Sequence, residues 1–253
     1  ELEEALAKVT ALPDVVGLQF DITPRAFSTT FQWPFMMTFS DAPFDREKSQ
    51  VTALTEYGEW MRNLVDKGYT LPGKKLGEFR PLAAQNRLAF AFDAPLFQGT
   101  VQSFDESITD EVFYETWGVT SLPAGDDGKS YTLGGSDHYT AIFKDSEHKQ
   151  EVAKFLEFLV NSDVGINEYV IPMGSLPVTS SAYERFPEIT ESPITKAFID
   201  EVIPTSIVPP YGADYSEAAS ILGTTLQEVI STSKSIDEIL NSAQNELEGV
   251  FGE

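Results

Sequence analysis

Apolar residues fall at helical spacing from the first turn of the chain. In ELEEALAKV, Leu2, Ala5, Leu6 and Val9 share one face, and no N-cap residue precedes them. SQVTALTEYGEWMRNLVDKGY repeats the pattern, with Val51, Leu54, Tyr57, Met61, Leu64 and Val65 in a stripe that closes at Gly68, a suitable left-handed stop. EFRPLAAQN predicts a further helix, and KQEVAKFLEFLV an amphipathic one with Val152, Phe155, Leu156, Leu159 and Val160 on its apolar side. Short apolar runs predict strands: VVGLQF (15–20), LAFAF (88–92), WGVTSL (117–122) and YTAIF (139–143). Strands separated by helix-length segments imply an α/β layering with mostly parallel pairing.

The last third reads differently. SPITKAFIDEV, EAASILGTTLQEVIS and SIDEILNSAQNELEGVF are three successive helical patterns, the last opened by Ser235 as N-cap with Glu238 placed for a capping box. GDDGK (125–129) predicts a tight turn, while PMGSLPV (172–178) and IVPPYG (207–212) predict extended segments that serve either as hinges or as ordinary surface connections. No internal repeat or low-complexity tract interrupts this order. A chain whose first residues already lie inside a helix is expected to be a piece of something longer.

Composition narrows the partners. The 253 residues are enough for one large core or two modest ones, and 42% hydrophobic with 12% aromatic content is that of a folded protein. Forty acidic against seventeen basic residues give a net charge of -23, a field that repels phosphate backbones and anionic bilayers, so no nucleic-acid partner is expected. Cysteine is absent, which removes disulfides, thiolate nucleophiles and Cys-type zinc sites without deciding the compartment. No apolar run approaches the roughly 20 residues that span a bilayer.

Enzyme signatures are missing. The two histidines are His138 and His148, and neither an HExxH, a GxSxG, a phosphate-binding loop nor an Asp-rich calcium loop occurs. Asp137 and His138 are adjacent, and in a strand they would point to opposite faces, which argues against an acid and base acting on one atom. They read better as the polar rim of a pocket, with Gly134 and Gly135 leaving backbone open to a bound molecule. The expectation is a protein with no catalytic residues, no metal site and no cofactor.

The segment WGVTSLPAGDDGKSYTLGGSDHYTAIFKDSEHKQEVAKFLEFLVNSDVGINEYVIPMGSLPVTSSAYE resembles the centre of a family 1 extracellular solute-binding protein, the carbohydrate-binding class that includes maltose-binding protein. LTEYGEWMRNLVDKGYTLPG followed by EFRPLAAQNRLAFAFDAPLF resembles that family's long helix and the strand leading to a ligand-facing aromatic. ILGTTLQEVISTSKSIDEILNSAQNELE resembles its closing helices. Gln85-Asn86 replaces the family's usual Gly-Lys, a change confined to a local cap, and Leu96 and Phe97 stand where tryptophan is frequent.

The resemblance implies an α/β periplasmic-binding-protein-like fold of class II, here mainly the C-terminal lobe with a returning segment of the N-terminal lobe. On that expectation residues 1–120 and 177–253 form the C-terminal lobe with its closing helices, residues 121–176 belong to the N-terminal lobe, and most of that first lobe is lacking. It further implies an extracytoplasmic receptor, in the periplasm or at the surface as a lipoprotein, that delivers a carbohydrate ligand to the membrane permease subunits of an ABC importer. Self-association through the exposed lobe interface is expected.

Sugar recognition needs aromatic faces and polar groups that meet hydroxyls. Thr29, Thr30 and Phe31, in the stretch where the family has a ligand-facing loop opening a helix, are candidates, whereas Trp33 is read as core. Tyr211 and Tyr215 stand where the family presents an aromatic to the sugar, flanking Asp214 as hydroxyl acceptor or N-cap. Leu96 and Phe97 complete the set, with Asp137 and His138 across the cleft. Two other functions stay open: a glycosidase-like carbohydrate-active enzyme, which needs two suitably spaced carboxylates, and a non-binding surface scaffold.

Overall fold

The computed structural model describes residues 1–135, 139–172 and 174–252. In chain order the elements are α1 (Leu2–Val9), β1 (Val16–Gln19), α2 (Ala26–Phe39), α3 (Thr55–Asp66), α4 (Arg80–Ala84), β2 (Leu88–Ala91), α5 (Phe97–Phe104) and α6 (Asp110–Thr116). Then come β3 (Thr132–Leu133), α7 (Lys149–Asn161), α8 (Asp163–Gly165), α9 (Ser180–Arg185), α10 (Glu188–Glu191), α11 (Pro193–Ala197), β4 (Ser206–Ile207), α12 (Tyr215–Ser231) and α13 (Ile236–Phe251). The chain divides into two compact units, one of Glu1–Phe92, Ser121–Gly135 and Thr205–Glu253, the other of Asp93–Thr120 and Ser136–Pro204.

In the first unit β1 pairs in parallel with β2, in the register Val16↔Leu88, Leu18↔Phe90 and Gln19↔Ala91. A parallel pair requires a long crossover, here containing α2, α3 and α4. β1 is buried along its whole length. Gly17 permits this, because a Cβ there would sit 2.9 Å from Leu6 Cδ2 and 3.0 Å from the Tyr69 carbonyl oxygen. Phe20, at the end of β1, meets Phe35 edge-on at 5.0 Å and Trp60 at 5.5 Å, which locks α2 and α3 onto the strand pair.

α2 is buried from Ser28 through Met36, polar residues included. Burying polar groups without partners would be costly, and each finds one. Ser28 Oγ donates to the Arg25 carbonyl oxygen at 2.8 Å, Gln32 Nε2 donates to the Asp21 carbonyl oxygen at 2.8 Å, and the Tyr57 hydroxyl donates to Gln32 Oε1 at 2.6 Å. Trp33 lies in the core as expected, edge-on to Phe44 at 5.0 Å.

The two closing helices cover this layer through Leu222, Leu226, Val229, Ile239, Leu240 and Leu247. Arg62 of α3 reaches the end of α12, its Nε donating to the Val229 carbonyl oxygen at 2.9 Å and its Nη2 to that of Lys234 at 3.1 Å. A cation there satisfies terminal carbonyls and complements the helix dipole. Gly68 closes α3 with φ +69, and Asn86 follows α4 at φ 56, consistent with a changed cap at Gln85-Asn86. Ser235 does occupy the N-cap of α13, but its side chain makes no capping bond, so the capping box with Glu238 is not formed.

The second unit is helical. Ile166, Val170, Ala182, Phe186 and Ile189 form its buried cluster, and Phe97, Phe113 and Trp117 a separate aromatic one, with Phe97 edge-on to Trp117 at 5.0 Å. Thr109, Ser162 and Ser192 cap α6, α8 and α11 through their side chains. Two strands expected from sequence are absent: residues 117–122 and 139–143 form no ladder, and Tyr139 and Phe143 are exposed. An apolar run becomes a strand only where a partner takes up its backbone hydrogen bonds. The short parallel pairing instead joins β3 to β4, Thr132↔Ser206 and Leu133↔Ile207, in the first unit. α7 forms as predicted, yet none of its residues is buried.

Candidate ligand-binding site

In the first unit the polar groups of interest gather where β1 ends and α2 begins. Asp21 is fully buried, and a carboxylate tolerates that only with strong partners. Its Oδ1 accepts from the Thr23 backbone N–H at 3.0 Å and the Thr23 hydroxyl at 2.6 Å, and its Oδ2 accepts from the Leu76 N–H at 3.2 Å and from Arg25 Nη2. Arg25 Nε donates to Thr23 Oγ1 at 2.8 Å, so the guanidinium is held at two points. Its carbon lies 4.9 Å from the Phe27 ring centroid. Neither Arg25 nor Phe27 was singled out from sequence; the signal was the four-residue step from Asp21 to Arg25 ahead of a helix.

Thr29 and Thr30 lie one turn further on and are buried. Thr29 Oγ1 donates to the Ala219 carbonyl oxygen at 2.7 Å, and Thr30 Oγ1 lies 2.7 Å from the Tyr215 hydroxyl. A Cβ at Gly223 would meet the Arg25 carbonyl oxygen at 2.8 Å. The successive contacts Thr30 to Tyr215, Thr29 to Ala219 and Arg25 to Gly223 show α2 and α12 running antiparallel in close approach. Phe31 is also buried, edge-on to Phe92 at 4.8 Å.

At the other end of this helix pair, Phe44, Arg46, Pro210, Asp214, Tyr215 and Phe251 line a recess of about 180 Å³. Tyr211, half-buried, packs edge-on against Tyr215 at 4.7 Å, and its carbonyl oxygen accepts from Arg46 Nη2 at 2.6 Å. Burial pushes the Tyr215 hydroxyl well above the usual tyrosine range. Asp214 is the N-cap residue of α12, is exposed, and makes no side-chain capping bond. Asp45 accepts from the backbone N–H groups of Glu47 and Lys48, the former chiefly holding its carboxyl below the usual range.

Leu96 and Phe97 belong to the second unit, where Leu96 precedes α5 and Phe97 is buried against Phe113 and Trp117. Asp137 and His138 lie outside the described residues. Thus Thr29, Thr30 and Phe31 lie on α2 and Tyr215 on α12, with Tyr211 in the segment that leads into α12 and packed on Tyr215. Among the described residues no cluster of three acidic, histidine or cysteine side chains is arranged to hold a metal, and no helix is long and apolar enough to cross a membrane.

Residues 1–166 match the sequence model of a family described as bacterial extracellular solute-binding protein. No curated protein sequence matches. Among solved structures, the fold is similar to an ABC transporter solute-binding protein of Thermotoga lettingae bound with α-D-tagatose, at TM-score 0.81 and 16% identity over 99% of this chain and 63% of that one. It is similar to maltose-bound MalE3 of T. maritima at TM-score 0.79 and 17% identity, over 98% of this chain and 64% of that one. A maltotriose-bound maltose/maltodextrin-binding domain of Bdellovibrio bacteriovorus gives TM-score 0.76 and 20% identity, covering 100% and 66%. The chain therefore has the α/β fold of class II periplasmic binding proteins, and spans just under two thirds of the length of these structures.

Proposed function

The chain belongs to the bacterial extracellular solute-binding protein family, and from that premise we propose that it is the ligand-binding part of an extracytoplasmic receptor that captures a sugar or oligosaccharide for an ABC importer. The observation that carries this reading is the family match together with a first unit whose polar and aromatic groups collect at the carboxyl end of a parallel strand pair, where open α/β sheets hold their ligands. Nothing in such a role calls for a catalytic residue.

Residues 1–120 and 177–253 would form the second lobe of the intact receptor, and 121–176 a part of the first. Tyr211 offers an aromatic edge to a sugar, while Thr30 and Phe31 hold the surface around it through Tyr215 and Phe92. Thr29 acts by fixing α2 against α12. Leu96, Phe97, Asp137 and His138 are proposed as ligand contacts from the resemblance alone. Permease subunits are the proposed protein partners, and a lipid anchor is the proposed tether in an organism without an outer membrane.

The test is a melting-temperature screen against neutral mono- and oligosaccharides, with chromatography of the sugar afterwards. A ligand that binds only the native state raises the melting temperature with its concentration. A saturable rise with the sugar recovered intact supports the receptor; cleaved sugar would reassign the protein to the carbohydrate-active enzymes.

A further inference from the structure

We propose that the recess beside the start of α12 is a second binding site, for a small amino acid in its zwitterionic form. Its carboxylate would meet Arg46, its ammonium group Asp45 and Asp214, and its apolar side chain Phe44 and Phe251. The site goes beyond the sugar-receptor reading and does not rest on it. Every residue that forms it belongs to the first unit.

The recess separates opposite charges. Asp45, Arg46 and Asp214 line the same space of about 180 Å³, yet among the described residues Arg46 pairs with neither carboxylate. Two of the three are held by bonds of their own. Arg46 Nη2 donates to the Tyr211 carbonyl oxygen at 2.6 Å, and the side chain lies along Gly212, where a Cβ would stand 3.6 Å from Nε. Asp45 Oδ1 accepts from the Glu47 and Lys48 N–H groups at 2.7 and 2.9 Å, the former chiefly keeping its carboxyl below the usual range.

Each charge keeps spare capacity. Arg46 Nε and Nη1 donate to no group among the described residues, and Asp45 Oδ2 accepts from none. Asp214 is exposed and makes no capping bond, so its carboxylate is uncommitted as well.

The wall between them is aromatic. The Phe44 ring lies 5.9 Å from that of Tyr215 and 5.8 Å from that of Phe251, and all three line the recess. At the share of volume that water takes in the liquid, the space holds about six waters, the scale of a small aliphatic amino acid.

Charge decides the ligand class. An anion drawn to Arg46 would meet Asp45, Asp214 and a chain that carries -23, a cation would meet Arg46, and a neutral molecule would compensate neither side. An α-amino acid carries both charges on one carbon and no net charge, so it gives each side a charge-assisted partner.

The experiment is calorimetry of the intact protein that carries this chain, with L-valine as probe and its two partial analogues as controls: isovalerate, which lacks the ammonium group, and isobutylamine, which lacks the carboxylate. We expect saturable binding of valine and about tenfold or more weaker binding of each analogue, because each leaves one side of the recess without its partner. Arg46→Gln and Asp214→Asn, both at exposed positions, should each weaken valine about five- to tenfold. Asp214→Asn removes no side-chain hydrogen bond among the described residues, so its effect is read without a change of fold. Valine affinity unchanged in either variant would overturn the assignment. Isovalerate or isobutylamine binding as tightly as valine would make this a simple anion or cation site and overturn the zwitterion claim, and absence of saturable heat with valine would overturn the site altogether.

Discussion

The hydroxyls of Thr30 and Tyr215 meet at 2.7 Å across 185 positions of sequence, tying the second turn of α2 to the first residue of α12. Thr30 Oγ1 also lies 3.0 Å from the Ala26 carbonyl oxygen, so its single hydrogen goes there and the tyrosine donates to the threonine. The two truncations are therefore unequal. Tyr215→Phe leaves Thr30 with a partner and should cost about 0.5–1.5 kcal/mol, whereas Thr30→Val strands a buried donor and should cost about 1–3 kcal/mol. Urea unfolding of the two variants checks the order; a larger loss for Tyr215→Phe would contradict this assignment of donor and acceptor.

Two buried tyrosines give the protein an alkaline limit. Desolvation raises the Tyr57 and Tyr215 hydroxyls above the ordinary value of 10.0, the Tyr215 shift being partly offset by Thr30. Folded-state pKa values above the unfolded ones mean that the native state binds more protons above about pH 10, so stability is flat below that point and falls as pH rises through it. Denaturation midpoints measured on either side of pH 10 should show the fall, and Tyr57→Phe should make it shallower. A fall equally steep in Tyr57→Phe would remove Tyr57 as its source.

Gly223 is where α12 meets the backbone of α2. An added methyl would come within 2.8 Å of the Arg25 carbonyl oxygen and 3.0 Å of its nitrogen, neither of which is the end of a flexible side chain. Gly223→Ala should lose about 1–3 kcal/mol despite alanine's higher helix propensity. A stabilised Gly223→Ala protein would show the helices to be further apart than described.

How much of this was legible in the sequence depended on local contrast. α3, α7, α12 and α13 were readable because each repeats apolar positions at the helical period, and β1 and β2 because each is a short continuous apolar run. α2 gave no such contrast, since it is buried nearly all round from Ser28 to Met36 and so shows hydroxyls and aromatics without a polar face. The partners of those hydroxyls, Ala219 and Tyr215, lie far along the chain, and nothing near Thr29 or Thr30 announces them. The runs at 117–122 and 139–143 resembled strands because composition records apolarity and not the presence of a neighbouring strand. Arg25 was hidden for a similar reason: its importance comes from a buried aspartate, and burial is not written in the residue itself.

The helix α7 turns Phe155 and Phe158 to solvent, and Val164 and Tyr169 in the segments that follow are exposed as well. Exposed apolar side chains of this kind favour association, and a second copy offers the same surface. Sedimentation of the 253-residue chain at rising concentration should show a reversible shift to larger species, abolished in a Phe155→Glu/Phe158→Glu variant. A monomer throughout the range would rule this surface out as a self-association site.

The central proposal is that the receptor carrying this chain holds a sugar without transforming it. Titration calorimetry of the intact protein with maltotriose and maltose, followed by chromatography of the titrant, tests that claim most directly. The account predicts saturable one-to-one heat with at least one neutral sugar and titrant recovered unchanged. Absence of binding across neutral sugars, or cleavage of the titrant, would contradict it.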